Sequence, residues 1–162
     1  MVLRLLADRH QDLTSLRTQA VRPLHALLAA LTPGGVQKRL SATAAAAFLA
    51  KVHPDTMVTT ARRAMAADLV ADVRRLDKAI ADVKARTAAA VTASGTTVTD
   101  LYGVGPIIAA LLIGHTGDIT RFPSSGHYAS YNSTAPIDAS SGPKVRHRLN
   151  PAGTASSTTP CT

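Results

Sequence analysis

Apolar positions in the first thirty residues repeat with the period of a helix. Leu5, Leu6, Leu13, Leu16, Ala20, Leu24, Leu27, Leu28 and Leu31 recur at that spacing, with Asp, Arg and Gln between them, which predicts a helix over 2–31. Pro23 lies inside the pattern. It lacks an N–H and its ring crowds the preceding turn, so it is expected to kink or divide that helix. Thr32-Pro33-Gly34-Gly35 reads as a turn. Ser41 is then placed to cap a short Ala-rich helix running to about residue 52. His53-Pro54-Asp55 breaks that helix, and Asp55 is able to cap the next.

Over 56–93 the positions Leu69, Val73, Leu76, Ile80, Val83, Thr87 and Ala90 alternate by four and three, a heptad seam. The seam predicts a long helix and leaves two partners open. It folds back on the N-terminal helix as an antiparallel hairpin, or it pairs with a second protomer as a coiled coil, giving a homo-oligomer through the 56–93 helix. Ser94-Gly95-Thr96-Thr97 ends the helix and marks the best internal boundary. No internal repeat and no alternating strand pattern is present. The expected fold class is mostly α.

Composition sharpens this picture. Apolar residues make up 46% of the 162-residue chain but aromatic ones only 3%, with no Trp. Much of the apolar share is Ala, so the core is expected to come from close helix packing on small side chains. The net charge of +8 favours a polyanionic partner, because Lys and Arg release condensed counterions from a phosphate backbone. All ten acidic residues are Asp, spread singly, with no paired-carboxylate cluster of the kind a two-metal site needs. A single Cys, at position 161, excludes an internal disulfide and disfavours a cysteine metal site. Arg4, Asp8 and Arg9 interrupt the N-terminal apolar run, so no signal peptide is read there, and no uncharged stretch is long enough to span a bilayer. A cytoplasmic protein without membrane partners is expected.

Candidate chemistry concentrates in 101–148. Leu101-Tyr102-Gly103-Val104-Gly105-Pro106, followed by an apolar run, fits a helix-hairpin-helix element. Gly103 and Gly105 let the backbone approach a ligand, Pro106 suits the first helical position, and the exposed N–H groups at the helix start favour a phosphate. The same short string also suits an ordinary tight turn between buried helices. Downstream, Ser140-Ser141-Gly142 is followed by Lys144, Arg146 and Arg148. A serine hydroxyl attacks at neutral pH only when a base or metal activates it and cations stabilise the developing charge. A Ser-Gly turn with three nearby cations is suited to holding a phosphodiester and attacking it, or merely to touching phosphate. His115, His127 and His147 are too scattered for a metal set or a visible Ser-His-Asp arrangement.

The chain resembles the C-terminal part of bacterial insertion-sequence transposases of the one-ten type, also called the one-sixteen/nine-oh-two type. The resemblance rests on LYGVGPIIAALLIGHTGDITRFPSSGHYASYNSTAP and the following SSGPKVRHRLNPAG, and the N-terminal LLADRHQDLTSLRTQAVRPLHALLAALTPGG looks like the segment joining the family's two halves. It implies a helical connector with a coiled coil over 1–95, a helix-hairpin-helix-containing C-terminal transposase domain over 96–153, and a poorly ordered tail over 154–162. It further implies DNA transposition, with a serine that attacks DNA and forms a covalent phosphoserine. That serine falls on Ser141, with Ser140 as the alternative. Lys144, Arg146 and Arg148 are implied to face phosphates, and Gly103, Val104 and Gly105 to form a phosphate-facing hairpin. In the intact family a structured guide RNA directs the reaction, and Mg²⁺ is bound by a RuvC-like half with four acidic residues including a Glu.

Several features depart from the pattern. The chain has no Glu and no acidic half, so no metal or cofactor is expected in it. Pro23 and Ser133 occupy places where an uninterrupted helix and a glycine are more typical. The similarity stops after Gly153. Relatives continue with a sequence such as Asn-Arg-Gln-Leu-Asn-His-Ala-Leu-His, whose GC-rich codons shifted by one base give Thr-Ala-Ser-Ser-Thr-Thr-Pro-Cys-Thr, residues 154–162 here. The tail is therefore expected to be a frameshift product and the chain a truncated transposase, inactive alone. The alternative is a non-catalytic basic module that binds DNA or dimerises with intact transposase.

Overall fold

The computed structural model describes residues 2–32, 41–140 and 146–148. It contains two compact units, Met1–Gly114 and His115–Thr162.

The first unit is helical. It comprises α1 (Val2–Ala30), α2 (Ala42–Lys51), α3 (Met57–Ala93), a 3₁₀ turn at Val98–Asp100, and α4 (Pro106–Thr116), whose last two residues lie in the second unit. The helix starts follow from local hydrogen bonding. Ser41 caps α2 by accepting from the Ala44 N–H. Thr56, rather than Asp55, caps α3: Thr56 and Thr59 satisfy each other's backbone N–H groups in a capping box, and Asp55 instead accepts the Thr59 hydroxyl at 3.1 Å. A β-branched hydroxyl at N3 thus serves where Glu or Gln is usual.

The long seam is used within the chain. Val73, Val83 and Thr87 of α3 are buried, Leu69, Leu76, Ile80 and Ala90 half-buried. One end of the pairing clusters Leu24 and Leu28 of α1 with Ala66, Val70 and Val73 of α3 and Ala42, Ala45 and Leu49 of α2. The other end clusters Ala7 of α1 with Val91 of α3 and Ala109 and Ala110 of α4. Low numbers in α1 meet high numbers in α3, so the two helices run antiparallel. An Arg17–Asp77 ion pair with a hydrogen bond from Nε joins them between the clusters. Six of the twelve residues in these two clusters are Ala. Small contact residues let the helix axes approach closely, which is how a core with so few aromatics fills its space.

Pro23 does not divide α1, which runs unbroken from Val2 to Ala30. The lost hydrogen bond and ring clash cost about 3 kcal/mol in a free helix. Here Leu24 and Leu28, immediately after the proline, are 4% and 0% exposed, and fully burying two leucines offsets that cost at about 1.5–3 kcal/mol each. Among the described residues, no helix is long and apolar enough to cross a membrane.

The second unit is built on a small aromatic cluster. Asp118 caps a 3₁₀ turn at Ile119–Arg121, and Ser124 caps α5 (Ser125–Tyr131). Phe122 packs edge-on to Tyr128 at 5.1 Å and against Tyr131 at 5.2 Å between ring centroids. The Tyr128 hydroxyl bonds Thr116 Oγ1 at 2.9 Å, and the Tyr131 hydroxyl donates to the His115 carbonyl at 2.9 Å. α5 ends in a Schellman arrangement, with Thr134 N–H reaching the Ala129 carbonyl at 2.9 Å and Ser133 N–H reaching that of Ser130 at 3.2 Å. A two-residue antiparallel ladder follows, which the sequence pattern did not suggest: β1 (Ile137–Asp138) pairs with β2 (His147–Arg148), Ile137 opposite Arg148 and Asp138 opposite His147.

Candidate nucleic-acid interface

In the first unit, the glycine turn has the local conformation its residues require. Val104 N–H closes it on the Leu101 carbonyl at 3.0 Å, and Gly103 sits at φ +84°, in the left-handed region where a side chain is strained. The Gly105 carbonyl accepts from Ala109 N–H at 2.9 Å, so Gly105 starts α4 and Pro106 takes its first position, as expected. A Cβ built at Gly103 or Gly105 meets nothing within 4 Å, and Tyr102 between turn and solvent is fully exposed. The backbone here is open to a ligand. The element before the turn is a single 3₁₀ turn, Val98–Asp100. A cleft of about 420 Å³ opens beside it, lined by Thr92, Thr96, Thr99, Val104 and Pro106 among others, without a charged side chain.

In the second unit, the ladder positions the serine segment. Ala139 N–H donates to the Arg146 carbonyl at 2.8 Å, closing a loop whose two ends are Ser140 and Arg146. Ser140 is fully engaged. Its hydroxyl donates to Asp138 Oδ1, its N–H donates to the same oxygen at 2.8 Å, and its Oγ accepts from Arg146 N–H at 3.0 Å. The Ser140 hydroxyl, and secondly its N–H, hold the Asp138 carboxyl below the usual carboxylate range. Arg146 and Arg148 are exposed beside it. Ser141 and Lys144, and the tail over 154–162, lie outside the described residues. The described candidate residues thus fall into two groups, the expected phosphate-facing Gly103, Val104 and Gly105 in the first unit, and the alternative nucleophile Ser140 with Arg146 and Arg148 in the second.

Sequence reasoning missed three local arrangements. Asp138, two residues before Ser140, is the acceptor that fixes it, and an Asx-type turn of this spacing is a readable signal. Ser124 Oγ lies 2.8 Å from His127 Nδ1, a pairing made within one helical turn. Arg121 stacks over Phe122 at 4.6 Å and over Tyr131 at 4.7 Å, a contact between residues ten apart that only the packing of α5 creates. Among the described residues no group of three His, Cys, Asp or Glu is placed to hold a metal ion.

Residues 95–157 match the family model described as Transposase IS116/IS110/IS902 family. The similarity to this family is confined to that segment. The match begins at the Gly95 turn that ends α3, and covers both the glycine turn and the serine–arginine segment. Comparisons with curated proteins and with solved structures each give no match.

Proposed function

We propose that this chain is a DNA-binding part of a transposase, in which Ser141 is the residue that attacks DNA. The observation that carries the choice of serine is the engagement of Ser140. Its hydroxyl proton goes to Asp138 and its oxygen takes the Arg146 N–H, so it serves to hold the loop ends. That leaves the adjacent Ser141 as the hydroxyl of the Ser-Gly motif to react. In the step, a bond forms between Ser141 Oγ and phosphorus while a P–O bond to deoxyribose breaks, and the departing sugar oxygen ends with the proton that the serine loses. Arg146 and Arg148, with Lys144, stabilise the charge that develops on the phosphoryl oxygens. Gly103, Val104 and Gly105 bind the DNA backbone through main-chain N–H groups, a contact that positions without reading sequence.

In this chain alone DNA binding is expected without strand exchange, because its carboxylates are all aspartates scattered singly along the sequence. A structured RNA and self-association through the 56–93 helix belong to the same proposal. Met57, Val58 and Met65, which are exposed in the first turns of α3, are the residues available for association, and sedimentation of a Met57→Glu, Met65→Glu variant reads it.

The test is a gel shift of the purified chain on duplex DNA at two salt concentrations, followed by denaturing electrophoresis with Mg²⁺ present. Binding that weakens steeply with salt, without a covalent adduct, is expected. Salt-independent binding or none refutes the DNA reading, and an adduct that persists in Ser141→Ala refutes the assignment of the serine.

A further inference from the structure

We propose that Arg121 is a DNA phosphate contact, held in place by Phe122 and Tyr131. The inference rests on the DNA-binding reading and adds a residue to it that neither the Ser-Gly motif nor the glycine turn contains.

Three observations carry it. First, the guanidinium carbon of Arg121 lies 4.6 Å from the Phe122 centroid and 4.7 Å from that of Tyr131, yet the residue remains exposed. Stacking uses the flat face of a guanidinium and leaves the N–H donors on its edge without acceptors. Second, both aspartates of this unit are already satisfied by hydroxyl residues two positions away. Asp118 Oδ1 takes the Thr120 N–H at 2.9 Å and its hydroxyl at 2.7 Å, and Asp138 takes both donors of Ser140. Thr120's hydroxyl and N–H, more than Arg121, hold the Asp118 carboxyl below its usual range. Third, every ion pair among the described residues lies in the first unit, so Arg121 acts on Asp118 only through its charge and not through a direct ion pair.

An exposed arginine outside any direct ion pair is common on protein surfaces. Arg121 also rests against two rings that pack on each other, 4.6 and 4.7 Å from their centroids. A free arginine loses about 2 kcal/mol of side-chain rotamer freedom when it docks. Arg121 has given up much of that freedom on folding, so its fork of donors is preorganised for the paired oxygens of a phosphodiester. The ring contacts explain why a residue so far before Ser140 in the sequence need not belong to the Ser-Gly motif to serve the same ligand class.

The experiment is fluorescence anisotropy of a labelled DNA duplex titrated with the full chain over a range of salt. Arg121→Gln is the primary variant, since its planar amide can still lie on the rings but carries no charge, and near-UV circular dichroism of Tyr128 and Tyr131 checks that the cluster persists. Losing one phosphate contact reduces the slope of log affinity against log salt by about 0.9, so a fourfold rise in salt weakens the variant about 3.5-fold less than the wild type. Arg121→Lys keeps the charge but not the fork, and is expected to keep the slope while binding more weakly. An Arg121→Gln affinity and slope equal to wild type overturn the assignment while leaving the DNA reading intact. A wild-type chain that shows no salt-dependent binding overturns both. If Arg121→Gln loses the tyrosine signal, Phe122→Leu decides: weaker binding at an unchanged slope supports the clamp, and unchanged binding overturns it.

Discussion

Ser133→Gly is expected to stabilise the second unit. Ser133 occupies the position just past the C-cap of α5, where the Schellman arrangement requires a left-handed residue, and its φ is +62°. A residue with a Cβ held there costs about 1–2 kcal/mol relative to a relaxed backbone. The side chain is only 4% exposed, and its Oγ has no hydrogen-bond partner. An unsatisfied buried hydroxyl costs about 1–3 kcal/mol. Glycine removes both costs but adds about 0.5–1 kcal/mol of chain entropy to the unfolded state. The net gain expected is about 2 kcal/mol. The assay is thermal and urea unfolding followed by near-UV circular dichroism, which reports Tyr128 and Tyr131 because Tyr102 is fully exposed and contributes little ordered signal. Ser133→Ala separates the two costs, since alanine loses the hydroxyl but keeps the strained conformation. It should recover roughly half the gain. A Ser133→Gly protein no more stable than wild type would refute the reasoning, and an alanine variant equal to the glycine one would show that the strain relieved is no larger than the entropy cost of glycine.

Two further outcomes follow from other sites. A Cβ at Gly114 would stand 2.9 Å from the backbone N and Cα of Arg4, so Gly114→Ala forces α4 away from α1. Overpacking of this kind costs about 1–3 kcal/mol, partly offset by about 1 kcal/mol of alanine helix preference, and a denaturation midpoint at or above wild type would contradict the contact. The Asp138 carboxyl is depressed by Ser140, so its support of the loop is present above the ordinary aspartate range and is lost as pH falls through the lower folded value. Protection of the Ser140 amide from hydrogen exchange should therefore fall only below about pH 4, and in Asp138→Asn that pH dependence should vanish; a wild-type amide equally protected across the acid range counts against it.

Much of the helical architecture was legible because its signals are local. Ser41 as a cap, the end of α3 at the Ser94-Gly95 turn and Pro106 at the first position of α4 all depend on groups within a few residues, and each lies where the sequence puts it. Errors of detail were local too. Asp55 and Thr56 are both able caps, and only the reciprocal bond from Thr59 decides between them.

What the sequence by itself determined, then, is a helical chain with a basic surface, a glycine turn and a serine–arginine segment of recognisable family. Its heptad seam established that one face of α3 is buried, because periodicity reports the burial of a face. Periodicity does not report the partner, and the tertiary structure supplied it: α1 of the same chain, antiparallel, with α2 and α4 closing its two ends. The same limit applies to Pro23, tolerated because Leu24 and Leu28 are buried beyond it, and to Arg121, whose two rings meet only when α5 folds back on Phe122. Local hydrogen bonds and steric preferences are written in neighbouring residues; which surfaces cover one another depends on the free energy of packing the whole unit.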